Sequence, residues 1–513
     1  MRLDYVRIEG FKNLHDIAVD FDPDQPTTVI IGLNGTGKSN LIEAITRIFR
    51  DIDLTRVTPF GYVVRYRIRN RTVELSKEID ARTIAVAVDA EPMRWTDFNK
   101  ARPPLLPSMV FGYYSGGSRR LEQVFDDHQK RYYQKIINDE DPGLRPFFYC
   151  RPSYGPLVLL ANFAFPRPDR DEFLRKYLKI TGFDSALLVL KKPSWRSKNP
   201  KGDPDFWNAA GLVRDFLRHA SSVALAPIRT EEQHVEDYRT SGKREERLYL
   251  FIRDQDHLRQ LAEPSKDEKT FFQQLESTDI SDLVREVRVW AKRENADSEI
   301  PFHEVSDGER QLMTVLGLLR YAREEESLFL LDEPDTHLNP AWQLKYLDII
   351  REWVGEEYRD NSHLIITTHD PLTMASLTAD QVQLLYRNEA GEIRAERASV
   401  DPRGLGFTSI LTQIFGLETT LDSKTQAMLD ERNQLIATEE RSANEEERLL
   451  ELNRELRSFG FNLESREPEY ELFLRAWHEP KQRERAALTP EQLRLRREAA
   501  KQIIQRLRSE VSP

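Results

Sequence analysis

The stretch from Thr27 to Phe49 limits the folds open to this chain of 513 residues more than any other stretch. Residues 27–31, TTVII, form a β-branched run that predicts a buried strand. Residues 32–39, GLNGTGKS, fit the pattern G-x-x-x-x-G-K-[ST] of a phosphate-binding loop (P-loop). Apolar residues then recur at helical spacing, at Leu41, Ile42, Ile45 and Ile48. The sequence therefore predicts a strand, a glycine-rich loop and a helix in that order.

A loop in this context forms a cradle for phosphate. Glycines let successive backbone N–H groups converge on an anion, and the helix N-terminus adds partial positive charge. We expect Lys38 to reach the β- and γ-phosphates of a nucleotide, and the Ser39 hydroxyl to bind Mg²⁺. An ordinary glycine-rich turn is the alternative, but the flanking strand and helix favour a nucleotide site. The predicted nucleotide-binding residues are Gly32, Asn34, Gly35, Gly37, Lys38, Ser39 and Asn40.

A second cluster of chemically active residues lies near position 330. Residues 328–331 are a short apolar run that predicts a strand, and Asp332 and Glu333 follow it directly. An acid at the carboxyl end of a buried parallel strand beside a P-loop is placed to hold Mg²⁺. The adjacent Glu333 is then placed to orient and deprotonate an attacking water. We therefore predict Asp332, together with Ser39, as a magnesium ligand and Glu333 as a general base.

Two further segments flank this cluster. Ser306 and Glu309 form a capping box at the start of a helix with apolar residues at helical spacing. This capping box either only stabilises the helix, or the helix N-terminus contacts a phosphate. His369 follows the apolar run 363–368, where the end of a second parallel strand would place it near a γ-phosphate. The order of these elements along the chain favours phosphate contact over a purely structural function for both segments.

The segments GLNGTGKS, VSDGERQ, LFLLDEPDTHLNP and LIITTHD together resemble the ABC-type ATPase head shared by RecF, SMC and OLD-like proteins. The opening MRLDYVRIEGFKNL is similar to the first strand of that group. The resemblance is specific over residues 1–50 and 300–370 and loose between them. Combined with strand-like alternation in residues 62–88, it predicts an α/β fold. We expect a P-loop NTPase ABC-type head with an antiparallel β subdomain, a helical insertion and a helical C-terminal region.

The same resemblance implies that two chains sandwich two ATP molecules head to tail, with Mg²⁺. Ser306 and Gly308 would contact the γ-phosphate of the ATP held by the other protomer. Asp332 would be the acid on the Mg²⁺ side, and residues 335–340 would lie in the loop that crosses the dimer interface. The implied catalytic residues are Lys38, Glu333 and the switch histidine His369.

The sequence departs from the family pattern at two places. Asp307 stands where a glycine is common in transporter-like signatures, as is usual for the soluble branch of the group. The strand predicted over 109–114 ends in Tyr114 and Ser115, whereas a glutamine there usually senses Mg²⁺ and the γ-phosphate. The sequence does not identify the residue that replaces this glutamine.

These signals divide the chain into four parts. They are an N-terminal lobe of the head with the P-loop and a β meander (1–118), a mainly helical insertion (119–300), a C-terminal lobe of the head with the signature, acids and switch histidine (301–418), and a charged helical region (419–513). In the insertion, amphipathic helices are predicted over 208–224 and 270–292. The last part is predicted as a helical hairpin that breaks at 442–444, followed by a basic helix from Thr489.

Bulk properties narrow the classes of function. The net charge of −11 argues against a wholly basic nucleic-acid coat and leaves room for a local basic patch. No apolar run has the length of a transmembrane helix, and the N-terminus lacks the apolar core of a secretory signal. The single cysteine, Cys150, excludes an intrachain disulfide framework and is expected to be a buried structural thiol. We expect a cytoplasmic protein without a membrane partner.

The layout is similar to that of the Septu and retron-associated ATPases of bacterial anti-phage defence. That resemblance implies an ATPase dimer, or a higher oligomer, that regulates a separate effector, most often a nuclease. No D-x-D pair follows His369, so we expect no nuclease within the chain itself. The alternatives are a RecF-like DNA repair ATPase and a scaffold that only binds ATP. The sequence identifies neither the partner nor the trigger, and it leaves nucleic-acid binding by the insertion or the basic helix open.

Overall fold

A computed structural model places residues 1–373 in one unit and residues 374–513 in a second. No helix within the described residues has the length and apolar character needed to cross a membrane. The part boundaries expected at 118, 300 and 418 stay predictions. The structure describes residues 1–138, 140, 145–194, 202–234, 239, 242–294, 300–321, 326–354, 361–438, 441–461 and 489–511.

The first unit contains both strands and helices. Its strands are β1 (Arg2–Phe11), β2 (Leu14–Asp20), β3 (Thr27–Gly32), β4 (Gly61–Ile68), β5 (Arg71–Lys77), β6 (Ala85–Val88), β7 (Glu91–Met93), β8 (Val110–Tyr114), β9 (Phe147–Tyr149), β10 (Ile180–Lys191), β11 (Ile228–His234), β12 (Lys243–Ile252), β13 (Val284–Arg293), β14 (Ile300–Pro301), β15 (Leu328–Asp332) and β16 (His363–Thr367). Its helices are α1 (Lys38–Asp53), α2 (Trp95–Leu105), α3 (Glu122–Ile137), α4 (Gly155–Ala164), α5 (Pro168–Leu178), α6 (Gly211–Val223), α7 (Gln255–Ala262), α8 (Glu268–Ile280), α9 (Asp307–Tyr321) and α10 (Pro340–Val354).

A parallel sheet forms the centre of this unit, with the strand order β3-β16-β15-β8-β9. Strands β3 and β15 are buried along their whole length, which explains why their sequences are apolar runs without alternation. The register pairs Asp332 with Thr367 on one side and with Tyr114 on the other. The strands predicted before the P-loop, Asp332 and His369 are therefore confirmed, and they end at one edge of the sheet.

The first unit also contains an antiparallel sheet with the strand order β2-β1-β4-β5-β6-β7. In β4 the residues Tyr62, Val64, Tyr66 and Ile68 are buried, and this period of two matches a sheet with one face on the core. Arg69 and Asn70 both have positive φ, as a two-residue hairpin turn requires. The predicted antiparallel β subdomain is confirmed.

The insertion differs from its prediction. Residues 180–301 contain a five-stranded antiparallel sheet in the order β11-β12-β10-β13-β14, which the prediction of a mainly helical segment missed. The helix predicted over 208–224 is confirmed as α6. The helix predicted over 270–292 is wrong after Ile280, where α8 ends. Asp282 then adopts φ 58, which stops helix propagation, and the alternating sequence VREVRVWAKR pairs as β13 instead.

Helix α4 joins the insertion to the head. Almost all of its residues are buried, in agreement with its apolar sequence GPLVLLANFA. A Cβ added to Gly317 of α9 would lie 2.1 Å from Cγ1 of Val158, so α4 and α9 are in direct contact at this glycine. Cys150, which follows β9, is also buried, and burial raises the pKa of its thiol well above the usual value. The prediction of a buried cysteine is confirmed.

The second unit contains a strand pair and helices. They are β17 (Val382–Arg387), β18 (Ile393–Arg397), α11 (Phe407–Gln413), α12 (Ser423–Ala437), α13 (Ala443–Ser458) and α14 (Pro490–Val511). Ser442 and Glu445 form a reciprocal capping box at the start of α13, so the predicted break in the charged region is confirmed. The predicted start of the terminal helix is also confirmed. Residues 462–488, within the predicted helical region 419–513, lie outside the described residues.

Candidate active site

Glycines shape the P-loop between β3 and α1. Gly32, Gly35 and Gly37 have φ values of 154°, 80° and 90°, a region that side chains rarely adopt. A Cβ on Gly37 would also lie 2.7 Å from Cδ2 of Leu14. The N-cap residue of α1 is Gly37, so no N-cap side chain accepts from the N–H groups of the first turn. This geometry fits an anion at the helix N-terminus.

Lys38 supplies the positive charge of the loop. Its Nζ donates to the carbonyl oxygen of Gly32 at 2.7 Å and approaches that of Leu33 at 3.5 Å. Burial lowers the pKa of Lys38, while the carboxylates of Glu333 and Asp332 act in the opposite direction. A cation held along the loop between glycine N–H groups and two acids fits the phosphates of a nucleotide that carries a divalent metal.

Asp332 is the point where the P-loop meets β15. The Ser39 hydroxyl donates to Oδ1 of Asp332 at 3.0 Å, and the Thr367 hydroxyl donates to the same oxygen. Nη2 of Arg120 lies 3.4 Å from Oδ2. Burial raises the pKa of Asp332, and the two hydroxyl donors and the Arg120 charge oppose that rise. A hydroxyl and a carboxylate side by side are the hard oxygen ligands that Mg²⁺ prefers.

Glu333 directly follows β15, and His369 lies two residues after the end of the neighbouring strand β16. The backbone of Glu333 adopts φ 53, and its N–H donates to the Thr367 carbonyl at 3.0 Å and to the Thr367 hydroxyl at 3.2 Å. Nδ1 of His369 lies 3.3 Å from Oε1 of Glu333. Both side chains are accessible to solvent, with His369 about half exposed at 51%. The structure thus brings the predicted base and the predicted switch histidine into contact.

The predicted signature segment forms the start of α9. Ser306 and Glu309 bond to each other, with the Glu309 N–H 3.3 Å from the Ser306 hydroxyl and the Ser306 N–H 3.1 Å from the Glu309 carboxylate. A Cβ on Gly308 would lie 2.4 Å from the carbonyl oxygen of His337, so the segment packs directly against the loop 335–340. Within the described residues, the Ser306 hydroxyl bonds to Glu309 rather than to the P-loop of the same chain.

Two predicted nucleotide-binding asparagines have different environments. Asn34 is exposed at the tip of the loop. Asn40 lies beneath it, where its Nδ2 donates to Oδ1 of Asn13 at 2.6 Å, and Asn13 donates to the Gly35 carbonyl at 3.1 Å. Asn40 therefore connects α1 to Asn13 in the β1–β2 turn, and Asn13 in turn bonds to the P-loop. The sequence prediction did not include this structural contact.

Sequence reasoning missed three threonines and one arginine that contact the acids. Thr367 bonds to Asp332, and Thr368 and Thr373 donate to the buried carboxylate of Asp335. The sequence could have indicated Thr367. It ends the strand His363–Thr367, and in a parallel pair the last residue of this strand lies beside Asp332, the last residue of the neighbouring strand. No motif distinguished Arg120, which follows a glycine pair in a polar segment.

Comparison with known proteins agrees with this geometry. Residues 1–142 match a family model described as AAA ATPase domain. Residues 196–375 match a model described as AAA domain, putative AbiEii toxin, Type IV TA system. The first match includes the whole P-loop, and the second includes Ser306, Asp332, Glu333 and His369.

Individual relatives match only short segments. The Septu protein PtuA of Bacillus mycoides (strain KBAB4) is 28% identical over 99 residues, which are 19% of this chain and 13% of that protein. The DNA replication and repair protein RecF of Lactobacillus acidophilus is 47% identical over 45 residues, which are 9% of this chain and 12% of that protein. RecF of Chlorobium luteolum is 44% identical over 45 residues, with the same coverage.

Among solved structures, an SMC head bound to the C-winged helix domain of ScpA aligns with a TM-score of 0.33 and 11% identity, over 78% of this chain and 98% of that chain. The relatives and the two ATPase-domain models agree with the site geometry. Both models fall on the strands that carry the P-loop and the paired acids, so these two parts of the chain are similar to AAA ATPase domains, and short segments are similar to PtuA and RecF.

Proposed function

We propose that this chain binds ATP with Mg²⁺ and hydrolyses it slowly, as the regulatory ATPase subunit of a bacterial anti-phage defence complex. The observation that carries the ATPase part is the hydrogen bond from Ser39 to Asp332, which joins the P-loop to the strand-end acid. These two residues hold the metal in the proposed site. When bound, Mg²⁺ would supply charge neutralisation of the β- and γ-phosphates.

Each surrounding residue has a role that follows from its position. Lys38 and the N–H groups of α1 hold the phosphates in place. Glu333, partly exposed and fixed through its backbone to Thr367, takes a proton from the attacking water. His369 lies within reach of the Glu333 carboxylate and orients it toward that water. General-base assistance of this kind is worth about 10²–10⁴-fold in rate.

The proposal includes closure of two heads on ATP. Ser306 and Gly308 at the start of α9 would contact the γ-phosphate bound by the partner subunit. The packing of Gly308 against the carbonyl of His337 supports this, because it makes the signature and the loop 335–340 one surface. The exposed position of Ser306 supports it as well, since its hydroxyl is accessible to a second chain.

The defence role is supported by the match to the Septu protein PtuA. By this proposal, ATP binding closes the dimer, hydrolysis reopens it, and a separate effector protein, of nuclease type, responds to the change. A RecF-like DNA repair ATPase is the second candidate, because two RecF proteins share 47% and 44% identity with a 45-residue segment of this chain. That candidate predicts stimulation of hydrolysis by DNA.

The test uses the full chain with Glu333→Gln, which retains ATP binding and blocks the proton transfer. The variant is tagged and purified from its native host with ATP and Mg²⁺, and co-purifying proteins are identified by mass spectrometry. Lys38→Ala serves as the matched control, since it removes the cation that holds the phosphates. An effector that is enriched with Glu333→Gln over Lys38→Ala supports the defence role.

Other results would redirect the proposal. Recovery of replication or recombination proteins, with DNA-stimulated hydrolysis by the unaltered chain, would favour the repair function. A monomer that holds ATP in the Glu333→Gln variant would refute the sandwich dimer. Unaltered protein that binds ATP but releases no phosphate, even with the co-purified partners, would reduce the chain to an ATP-binding scaffold.

A further inference from the structure

Arg120 connects parts of the site that lie far apart in sequence. Its Nη1 lies 3.3 Å from Oδ1 of Asn40 on α1, and its Nη2 lies 3.4 Å from Oδ2 of Asp332 on β15. The guanidinium also lies 5.0 Å from the centre of the Tyr114 ring, at the end of β8. One cation therefore touches the P-loop helix, the strand-end acid and the neighbouring strand.

Arg120 lies just before a helix that connects the site to the rest of the insertion. Helix α3 begins two residues later, at Glu122. His128 of α3 bonds to Asp53 at the end of α1 at 2.9 Å, and Tyr132 of α3 bonds to Ser277 of α8 at 3.1 Å. Arg120 therefore lies just before a helix of the insertion that contacts both the P-loop helix α1 and the more distant helix α8.

Both oxygens of the Asp332 carboxylate already have partners. Oδ1 accepts hydrogen bonds from Ser39 and Thr367, and Oδ2 faces Arg120. A metal ion bound to this carboxylate would lie close to the Arg120 guanidinium. Two positive charges within about 4–6 Å repel each other, so binding of the metal ion would weaken the contact of Arg120 with Asp332. The Arg120 side chain is 31% exposed to solvent, whereas the Asp332 side chain is buried.

We propose that Arg120 is a positioning residue that competes with Mg²⁺ for Asp332, so that metal binding releases Arg120 and the start of α3. The inference rests on the proposed function, since it assumes Mg²⁺ and ATP at this site. By this proposal, Arg120 is the residue through which the insertion responds to metal binding at the site. It lies close to Tyr114, at the strand end where the family usually has a glutamine.

Arg120→Gln tests the competition, with Arg119→Gln as the matched control. Arg119 is adjacent, is 62% exposed and pairs with Glu122 at 2.8 Å rather than with Asp332. The measurement is equilibrium binding of a fluorescent ATP analogue to the full chain over a range of Mg²⁺ concentrations. Arg120→Gln should lower the half-saturating Mg²⁺ concentration by at least about tenfold, since one neighbouring positive charge shifts proton binding to a carboxylate by about 1–3 pKa units. Arg119→Gln and the charge-conserving Arg120→Lys should stay close to the unaltered chain.

A second measurement uses no substitution, so it does not depend on how a variant folds. Hydrogen exchange of the unaltered, nucleotide-bound chain should become faster at residues 120–125 when Mg²⁺ is added. An unchanged exchange rate there, or a higher Mg²⁺ requirement in Arg120→Gln, would overturn the competition and leave the proposed function intact. Failure of the unaltered chain to bind the nucleotide at any Mg²⁺ concentration would overturn both.

Discussion

Replacement of Thr367 by valine is predicted to weaken both the fold and the reaction. The hydroxyl of Thr367 is fully buried, donates to the Asp332 carboxylate and accepts from the Glu333 N–H at 3.2 Å. A hydrogen bond to a charged group is worth about 1.5–3 kcal/mol. The Glu333 N–H keeps its 3.0 Å bond to the Thr367 carbonyl, so loss of the second contact adds little. We expect Thr367→Val to lower the free energy of unfolding by about 2 kcal/mol.

Thr368→Val is the matched control for this change. Thr368 is equally buried, donates to the Asp335 carboxylate at 2.7 Å and accepts from the Asp370 N–H at 2.9 Å. Its loss should therefore cost a similar free energy of unfolding. Of these two threonines, Thr367 alone contacts Asp332 and Glu333, so the loss of its hydroxyl alone should change the metal site. Outer partners of metal ligands typically contribute about 10- to 100-fold to affinity or activity.

Two assays separate these effects. Urea unfolding followed by tryptophan fluorescence gives the stability of each variant, and ATP hydrolysis at several Mg²⁺ concentrations gives kcat and the Mg²⁺ requirement. Thr367→Val should reduce hydrolysis at limiting Mg²⁺ by at least about tenfold, with Thr368→Val near the unaltered rate. Equal losses of hydrolysis in the two variants would refute the view that Thr367 acts through the Asp332 carboxylate.

Two further predictions concern the signature and the insertion. Gly308→Ala places a Cβ 2.4 Å from the His337 carbonyl, so it should weaken ATP-dependent dimerisation in sedimentation velocity while ATP binding persists; an unchanged dimer would argue against this surface. Burial raises the pKa of Asp279 to about 6, so its contribution to stability is complete below pH 3.8 and is lost as the pH rises to about 6. Asp279→Asn should remove up to about 3 kcal/mol of this pH dependence in urea unfolding between pH 4 and 7, and the same slope in both proteins would contradict the assignment.

The sequence allowed prediction of the head because its signals are local. A β-branched run, a glycine loop and a helical period follow one another within 27–49, and each is decided by neighbouring residues. The strand ends at Asp332 and His369 could then be brought together by one rule, that the carboxyl ends of parallel strands share an edge. The contact between Glu333 and His369 was not predicted, although it agrees with the same rule.

The insertion was harder to predict because its sheet depends on distant pairing. Strand β10 pairs with β12 and β13, which lie about 60 and 100 residues later, and no turn signal links them. The segment around β13 has both helical and strand-like spacing, and tertiary pairing decides between the two. Arg120 was missed for the same reason, since its partners Asn40 and Asp332 are 80 and 212 positions away.

The backbone of Glu333 has a consequence for any attempt to engineer this protein. Its left-handed conformation, φ 53, costs a side-chain-bearing residue about 1–2 kcal/mol, and glycine adopts it with little cost. Selection for heat resistance alone would therefore favour glycine at this position and discard the carboxylate proposed as the base. Thermostable variants obtained without a functional screen should be sequenced at codon 333 first, because at this residue higher stability of the fold and a high rate of ATP hydrolysis favour different side chains.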